Sequence, residues 1–90
     1  MTRYRIPHGV LRAEVRGEEV LLDQSNGTYH LVNGTGRLVL ERIAVGDDFD
    51  AVVEVLAADS GQSVDRVRDD VAAFITTMTK LKLIEATVDG

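Results

Sequence analysis

The side chains in this 90-residue chain that could do chemistry are few, and their spacing suits catalysis poorly. His8 and His30 have no second ligand three or four residues away, and no cysteine is present to complete a zinc shell. Asp47, Asp48 and Asp50 crowd together but lack the D-x-D-x-D-G order and closing glutamate of a calcium loop, so helix capping accounts for them. Gly34-Thr35-Gly36 contains G-x-G without the third glycine of a dinucleotide fingerprint or the lysine of a phosphate-cradling loop. Ser25, Ser60 and Ser63 sit in a turn and at helix boundaries, outside any G-x-S-x-G elbow. No nucleophile, base and orienting group can be assembled from this set. The expectation is a protein that catalyses nothing and holds no metal or cofactor.

Backbone chemistry is the better prospect. Asp23 to Arg42 reads strand, tight turn, strand, helix cap and helix with almost no spare residues. Asn26-Gly27 is a strong hairpin signal, because both residues tolerate positive φ. Thr28-Tyr29-His30-Leu31-Val32 follows as a short strand, and Asn33 can cap a helix carrying Leu38, Val39 and Ile43. A strand delivered this abruptly into a helix is left at a sheet edge, where its unpaired N–H and C=O groups can accept a strand from a peptide.

The elements that would position this edge follow from the periodicity. Residues 9–16 alternate, with Leu11, Ala13 and Val15 on one face and Arg12, Glu14 and Arg16 on the other. Gly17-Glu18 turns the chain into a more apolar middle strand at Glu19–Asp23, and 28–32 completes an antiparallel meander. The period then changes to 3.6. A first helix is expected over 34–45, ended by Gly46. A second carries Val52, Val53, Val55 and Leu56 and closes at Asp59-Ser60-Gly61. A third and longest is capped by Ser63, with Asp65 in its first turn. Its apolar stripe is Val64, Val67, Val71, Phe74, Ile75, Met78 and Leu81. Leu83-Ile84 reads as an extended tail that packs on the core or adds a small strand. The fold class is therefore α+β, a three-stranded antiparallel sheet followed by a three-helix bundle of winged helix-turn-helix type. Residues 1–90 form one domain, with 1–8 and 87–90 as flexible ends. The sheet is expected to hide its apolar face against the bundle, with Tyr29 and Leu31 pointing together into the core and Val32 pointing oppositely, toward a ligand.

Composition narrows the partners. Hydrophobic residues make up 44 % of the chain, enough for one small core. Ten basic against fifteen acidic residues give a net charge of −5, the wrong sign for a nucleic-acid binder. No apolar run approaches the roughly 20 residues of a membrane span, and no apolar block follows the N-terminal arginines as in a secretory signal. No nucleic acid, no membrane and a cytoplasmic setting are expected.

The order of elements and the motifs D-x-x-x-G-x-Y-x-L, an Asn helix cap and D-D-V-x-x-F-I-x-x-M-x-x-L-x-L-I resemble the PqqD-like family. These are the precursor-peptide recognition elements of ribosomally made, post-translationally modified peptides. Asp23, Gly27, Tyr29, Leu31, Asn33 and Gly36 match the family's first block, and Asp70, Val71, Phe74, Ile75, Leu81 and Ile84 its last. The similarity spans residues 9–86. Val32-Asn33-Gly34 stands where the quinone-pathway member usually carries a Pro-Glu-Gly-type segment. The chain looks more like the stand-alone leader-binding protein of lasso-peptide clusters, which works beside a separate leader protease and a macrolactam-forming cyclase. The resemblance implies a leader peptide added as a fourth, antiparallel strand along residues 28–32, lying in a groove against the helix 64–81. An aromatic and a proline of the leader would anchor in an apolar pocket.

On the helical wheel, Arg66, Asp70, Ala73, Phe74 and Thr77 follow one border of the apolar stripe and are the chosen groove wall. Arg68, Ala72 and Thr79 on the other border are the alternative. With the strand, the candidate peptide-binding set is Thr28, Tyr29, His30, Leu31, Val32, Arg66, Asp70, Ala73, Phe74 and Thr77. Three rivals stay open: a peptide chaperone of another modified-peptide or quinone-cofactor pathway, a winged-helix DNA-binding regulator, and a subunit that pairs edge to edge with itself.

Overall fold

A computed structural model describes residues 2–87. Its sheet has strand order β2-β3-β4, where β2 is Val10–Val15, β3 is Glu18–Asp23 and β4 is Thr28–Val32; a separate pair joins β1 (Tyr4–Arg5) to β5 (Glu85–Ala86). Three helices follow β4: α1 (Gly34–Ala44), α2 (Phe49–Ser60) and α3 (Val64–Lys80). The expected α+β arrangement of a three-stranded antiparallel sheet and three helices is present.

Each helix starts on the residue that its chemistry predicts. The side chains of Asn33, Asp48 and Ser63 accept hydrogen bonds from the N–H groups of Gly36, Ala51 and Arg66, so each occupies one donor that the first turn leaves without a partner. α2 ends on Gly61 in the left-handed region, where a side chain would be strained.

The two hairpins differ from the expectation. The two-residue turn with both φ values positive is Arg16-Gly17 (54° and 81°), closing the Val15–Glu18 pair, rather than Gly17-Glu18. The β3–β4 connection is a four-residue loop, Gln24–Gly27, in which Gly27 but not Asn26 has positive φ. Asp23 organises it: its Oδ1 accepts the Ser25 hydroxyl (2.6 Å) and the Ser25 N–H (3.0 Å), a local turn that competes with the simple Asn-Gly hairpin.

The sheet also lies on its helices the other way up. Val10, Leu21 and Val32, one residue from each strand, join the core closed by Val39, Leu40, Ile43, Val52, Val53, Val71, Ile75, Leu83 and Ile84. Leu11, Ala13, Val15, Val20, Leu22, Tyr29 and Leu31 occupy the opposite face, by the register Leu11–Leu22–Tyr29 and Ala13–Val20–Leu31. Leu11 and Val15 are 46 % and 52 % exposed. The more apolar face is therefore turned outward, contrary to the expectation. Because side chains alternate with period two, a register shifted by one residue exchanges the faces completely. The face that meets the helices also carries a polar pair, in which Arg12 Nε donates to Glu19 Oε1 at 2.7 Å and so partners a buried carboxylate.

Residues 2–6, expected to be a loose end, are tied down instead. Tyr4 and Arg5 pair with Ala86 and Glu85, Phe49 N–H donates to the Thr2 carbonyl (3.0 Å), and Thr87 N–H donates to Arg3 (2.9 Å). Of the two readings of the tail, Leu83 and Ile84 take the first and pack into the core, and the short strand follows them at 85–86. The end expected at 88–90 lies outside the described residues.

Candidate functional site

β4 pairs with β3 on one side, and among the described residues no strand lies on its other side. Half of its peptide groups therefore face an open edge. The strand runs directly through Asn33 into α1, and α3 crosses beside that junction. The close approach is visible at Gly36: a Cβ placed there would lie 2.7 Å from Phe74 Cε1 and 2.8 Å from Val32 Cγ1. Glycine lets α1, the end of β4 and α3 meet at one point.

Two depressions open from this junction along α3. One, of about 270 Å³, is lined by Asn33, Gly36, Val39, Asp70, Val71 and Phe74. The next, of about 240 Å³, shares Thr35, Asp70 and Val71 with it and continues to Leu38, Leu56 and Val67. Each is smaller than the roughly 300 Å³ at which drug-sized ligand sites begin, so each suits a side chain rather than a cofactor. Their floors are apolar, and Asp70, with Asp59 at the far end, gives the rim negative charge.

The structure brings together part of the residue set expected from the sequence. Asp70 and Phe74 line the groove, and Val32 stands at its head. Arg66, Ala73 and Thr77 are exposed on α3, on the turns beside them. On the alternative border, Arg68 is engaged elsewhere: its Nη1 donates to Asp50 at 2.8 Å and its guanidinium lies 5.6 Å from the Phe49 ring centroid. The Asp50 carboxylate holds the Arg68 pKa above its ordinary value.

Three strand residues differ from their expected positions. Tyr29 and Leu31 are not core: they are 71 % and 72 % exposed, because their face of the sheet is the outward one. Val32 is buried rather than presented to a ligand, for the same reason. His30 is half-buried, with Nε2 3.2 Å from Thr28 Oγ1. The Ser25 hydroxyl and N–H hold the Asp23 carboxyl below the usual carboxylate range, burial opposes this, and His30 adds a smaller lowering.

Sequence reasoning missed Asn33, Thr35, Gly36 and Val39 as groove residues. Asn33 and Gly36 had registered as a helix cap and a block match, and nothing in their types says that the cap stands over a groove. Among the described residues, no group of three or more histidines and carboxylates could hold a metal ion. Nor is any helix there long and apolar enough to cross a membrane.

The family model described as coenzyme PQQ synthesis protein D (PqqD) matches residues 18–84, a span containing β3, β4 and all three helices. The chain belongs to the PqqD family. Two solved structures share the PqqD-type fold seen here. One, "TbiB1 in Complex with the TbiA(beta) Leader Peptide", superposes with a TM-score of 0.85 at 24 % identity, over 94 % of this chain and 99 % of that one. The other, "Lasso peptide synthetase B1 complexed with the leader peptide", gives 0.86 at 23 % identity, over 92 % and 98 %. Both neighbours are complexes with leader peptides. No curated protein matches the sequence.

Proposed function

We propose that this PqqD-family chain binds the leader segment of a ribosomally made precursor peptide without catalysing any step itself. One observation carries the reading: the unpaired edge of β4 leads straight into a side-chain-sized apolar groove along α3. The leader adds as a fourth strand to residues 28–32, and its anchoring side chains drop into the depressions beside Phe74 and Asp70. Arg66, Ala73 and Thr77 flank the path on α3, and Asp70 receives a basic leader residue. In this reading, α2, α3 and the sheet are a winged helix-turn-helix turned to peptide recognition.

Energetics fit a specific but reversible complex. Some four or five new backbone hydrogen bonds, at roughly 0.5–1.5 kcal/mol net each, offset only part of the cost of ordering a free peptide. A buried aromatic anchor adds about 1.5–3 kcal/mol. The total corresponds to a Kd between about nanomolar and micromolar. The product class is a lasso peptide, and the loaded protein presents its cargo in the cytoplasm to a separate leader protease and a macrolactam-forming cyclase. The fold shared with two leader-bound lasso-system proteins supports this choice.

The test is a fluorescence-anisotropy titration against the leader of a precursor encoded beside this chain. Saturable binding in that range, weakened at least about tenfold by Ala73→Glu, is the expected result. Ala73 is exposed on α3, so its variant keeps the fold, whereas Val32→Glu would bury a charge and report on stability instead. A folded protein that binds no leader at tens of micromolar refutes the proposal.

A further inference from the structure

Tyr29 and Leu31 stand two residues apart on β4, on the sheet face turned away from the helices, and each is more than two-thirds exposed. Their neighbours across β3 provide an internal comparison. Val20 lies on the same outward face, outside the core that the helices close, yet it is only 8 % exposed. Its register neighbours on that face are Ala13 on one side and Leu31 on the other. Leu22, between Leu11 and Tyr29, is half-covered in the same way. On this face a residue is thus shielded by having a strand on both sides. Tyr29 and Leu31 lack only the second neighbour.

A peptide strand added at the β4 edge supplies that neighbour. Its side chains alternate: one set turns toward α3 and the groove, the other stands on the outward face beside Tyr29 and Leu31. The two rows Leu11–Leu22–Tyr29 and Ala13–Val20–Leu31 hold no charged residue, and Glu18 stands only at the end of this face, opposite Val15, so apolar surface is most of what the rows offer an added strand.

We propose that Tyr29 and Leu31 are specificity residues that read the outward side chains of the bound peptide, and that the peptides recognised carry apolar residues at two outward positions, i and i+2. The proposal rests on strand addition at β4 and extends it, because it assigns selectivity to the face opposite the groove. The two cross-strand pairs together are worth about twofold to thirtyfold in affinity.

The test uses the full chain to select from a random dodecapeptide display library, in parallel with a Tyr29→Ser/Leu31→Ser variant checked for folding by circular dichroism. Both side chains are exposed, so the variant keeps its core. The wild type should enrich peptides with apolar residues in an i, i+2 pair besides those that fit the groove. The variant should retain the groove-side preference and lose the outward one. Synthetic peptides with serine at the outward positions should bind the wild type about twofold to thirtyfold more weakly and the variant unchanged. Identical preferences for wild type and variant would overturn this assignment while leaving strand addition standing. No enrichment by the wild type would overturn both. Sedimentation showing a wild-type dimer that the double substitution dissolves would also overturn it, by assigning the face to a second copy of the chain.

Discussion

Replacing Gly36 with alanine adds one methyl group at the point where α1, β4 and α3 converge. That carbon would sit 2.7 Å from Phe74 Cε1, 3.0 Å from Phe74 Cζ and 2.8 Å from Val32 Cγ1. Ordinary carbon–carbon contact is about 3.5–4.0 Å, so one or both neighbours must move by roughly 1 Å. Val32 is buried and carried on β4; the half-buried Phe74 is the freer of the two, and its displacement would push the ring into the groove. Overpacking of this kind costs about 1–3 kcal/mol, against a gain of about 0.5–1 kcal/mol from replacing a helical glycine. The net expectation is a loss of up to about 2.5 kcal/mol, with Tm lowered by roughly 4–8 °C for each kcal/mol lost in a domain of this size. Gly34 is the control, since a Cβ there meets nothing within 4 Å. Gly34→Ala should be neutral or slightly stabilising in the same urea or thermal unfolding experiment. In a leader titration, Gly36→Ala should weaken binding, because the displaced Phe74 ring narrows the groove. If Gly36→Ala is as stable as Gly34→Ala, the packing argument for the junction is wrong.

Asn33→Ala removes the side-chain acceptor of the Gly36 N–H (2.8 Å) and should cost about 0.5–2 kcal/mol in urea unfolding, with most of it recovered by Asn33→Asp. Arg12→Ala leaves the Glu19 carboxylate buried with its partner gone. Because Arg12 itself is partly exposed, the loss should be about 1–3 kcal/mol, and Arg12→Met combined with Glu19→Leu should recover most of it. The Asp23 carboxyl has its pKa depressed in the fold, first by the Ser25 hydroxyl bond and then by the Ser25 N–H bond. Its contribution is therefore complete above the unfolded-state carboxylate pKa and is lost as pH falls through the lower folded value. Denaturation midpoints should thus drop more steeply below about pH 4 in the wild type than in Asp23→Asn, and equal slopes would refute the assignment.

What could be read from the chain alone was whatever depends on near neighbours. Helix starts at Asn33, Asp48 and Ser63, the stop at Gly61 and the three strands, expected at 9–16, 19–23 and 28–32 and found within a residue of those bounds, follow from residue type over three or four positions. Phe74 and Asp70 could likewise be assigned to one border of α3 from the 3.6 period. The resemblance to the PqqD family was also legible, because its motifs are largely those same local features. Which face of the sheet meets the helices was not. Apolar residues stand on both faces of β3, and period two alone cannot choose between the parity of Val20 and Leu22 and that of Leu21. The choice depends on contacts between elements: Gly36 admitting Phe74 and Val32 where α1, β4 and α3 meet, Arg12 pairing with Glu19 across the β2–β3 hairpin, and Leu83 and Ile84 closing the core. That tertiary choice buries Val32, leaves Tyr29 and Leu31 facing outward, and turns a cap residue and a helix glycine into the head of a groove.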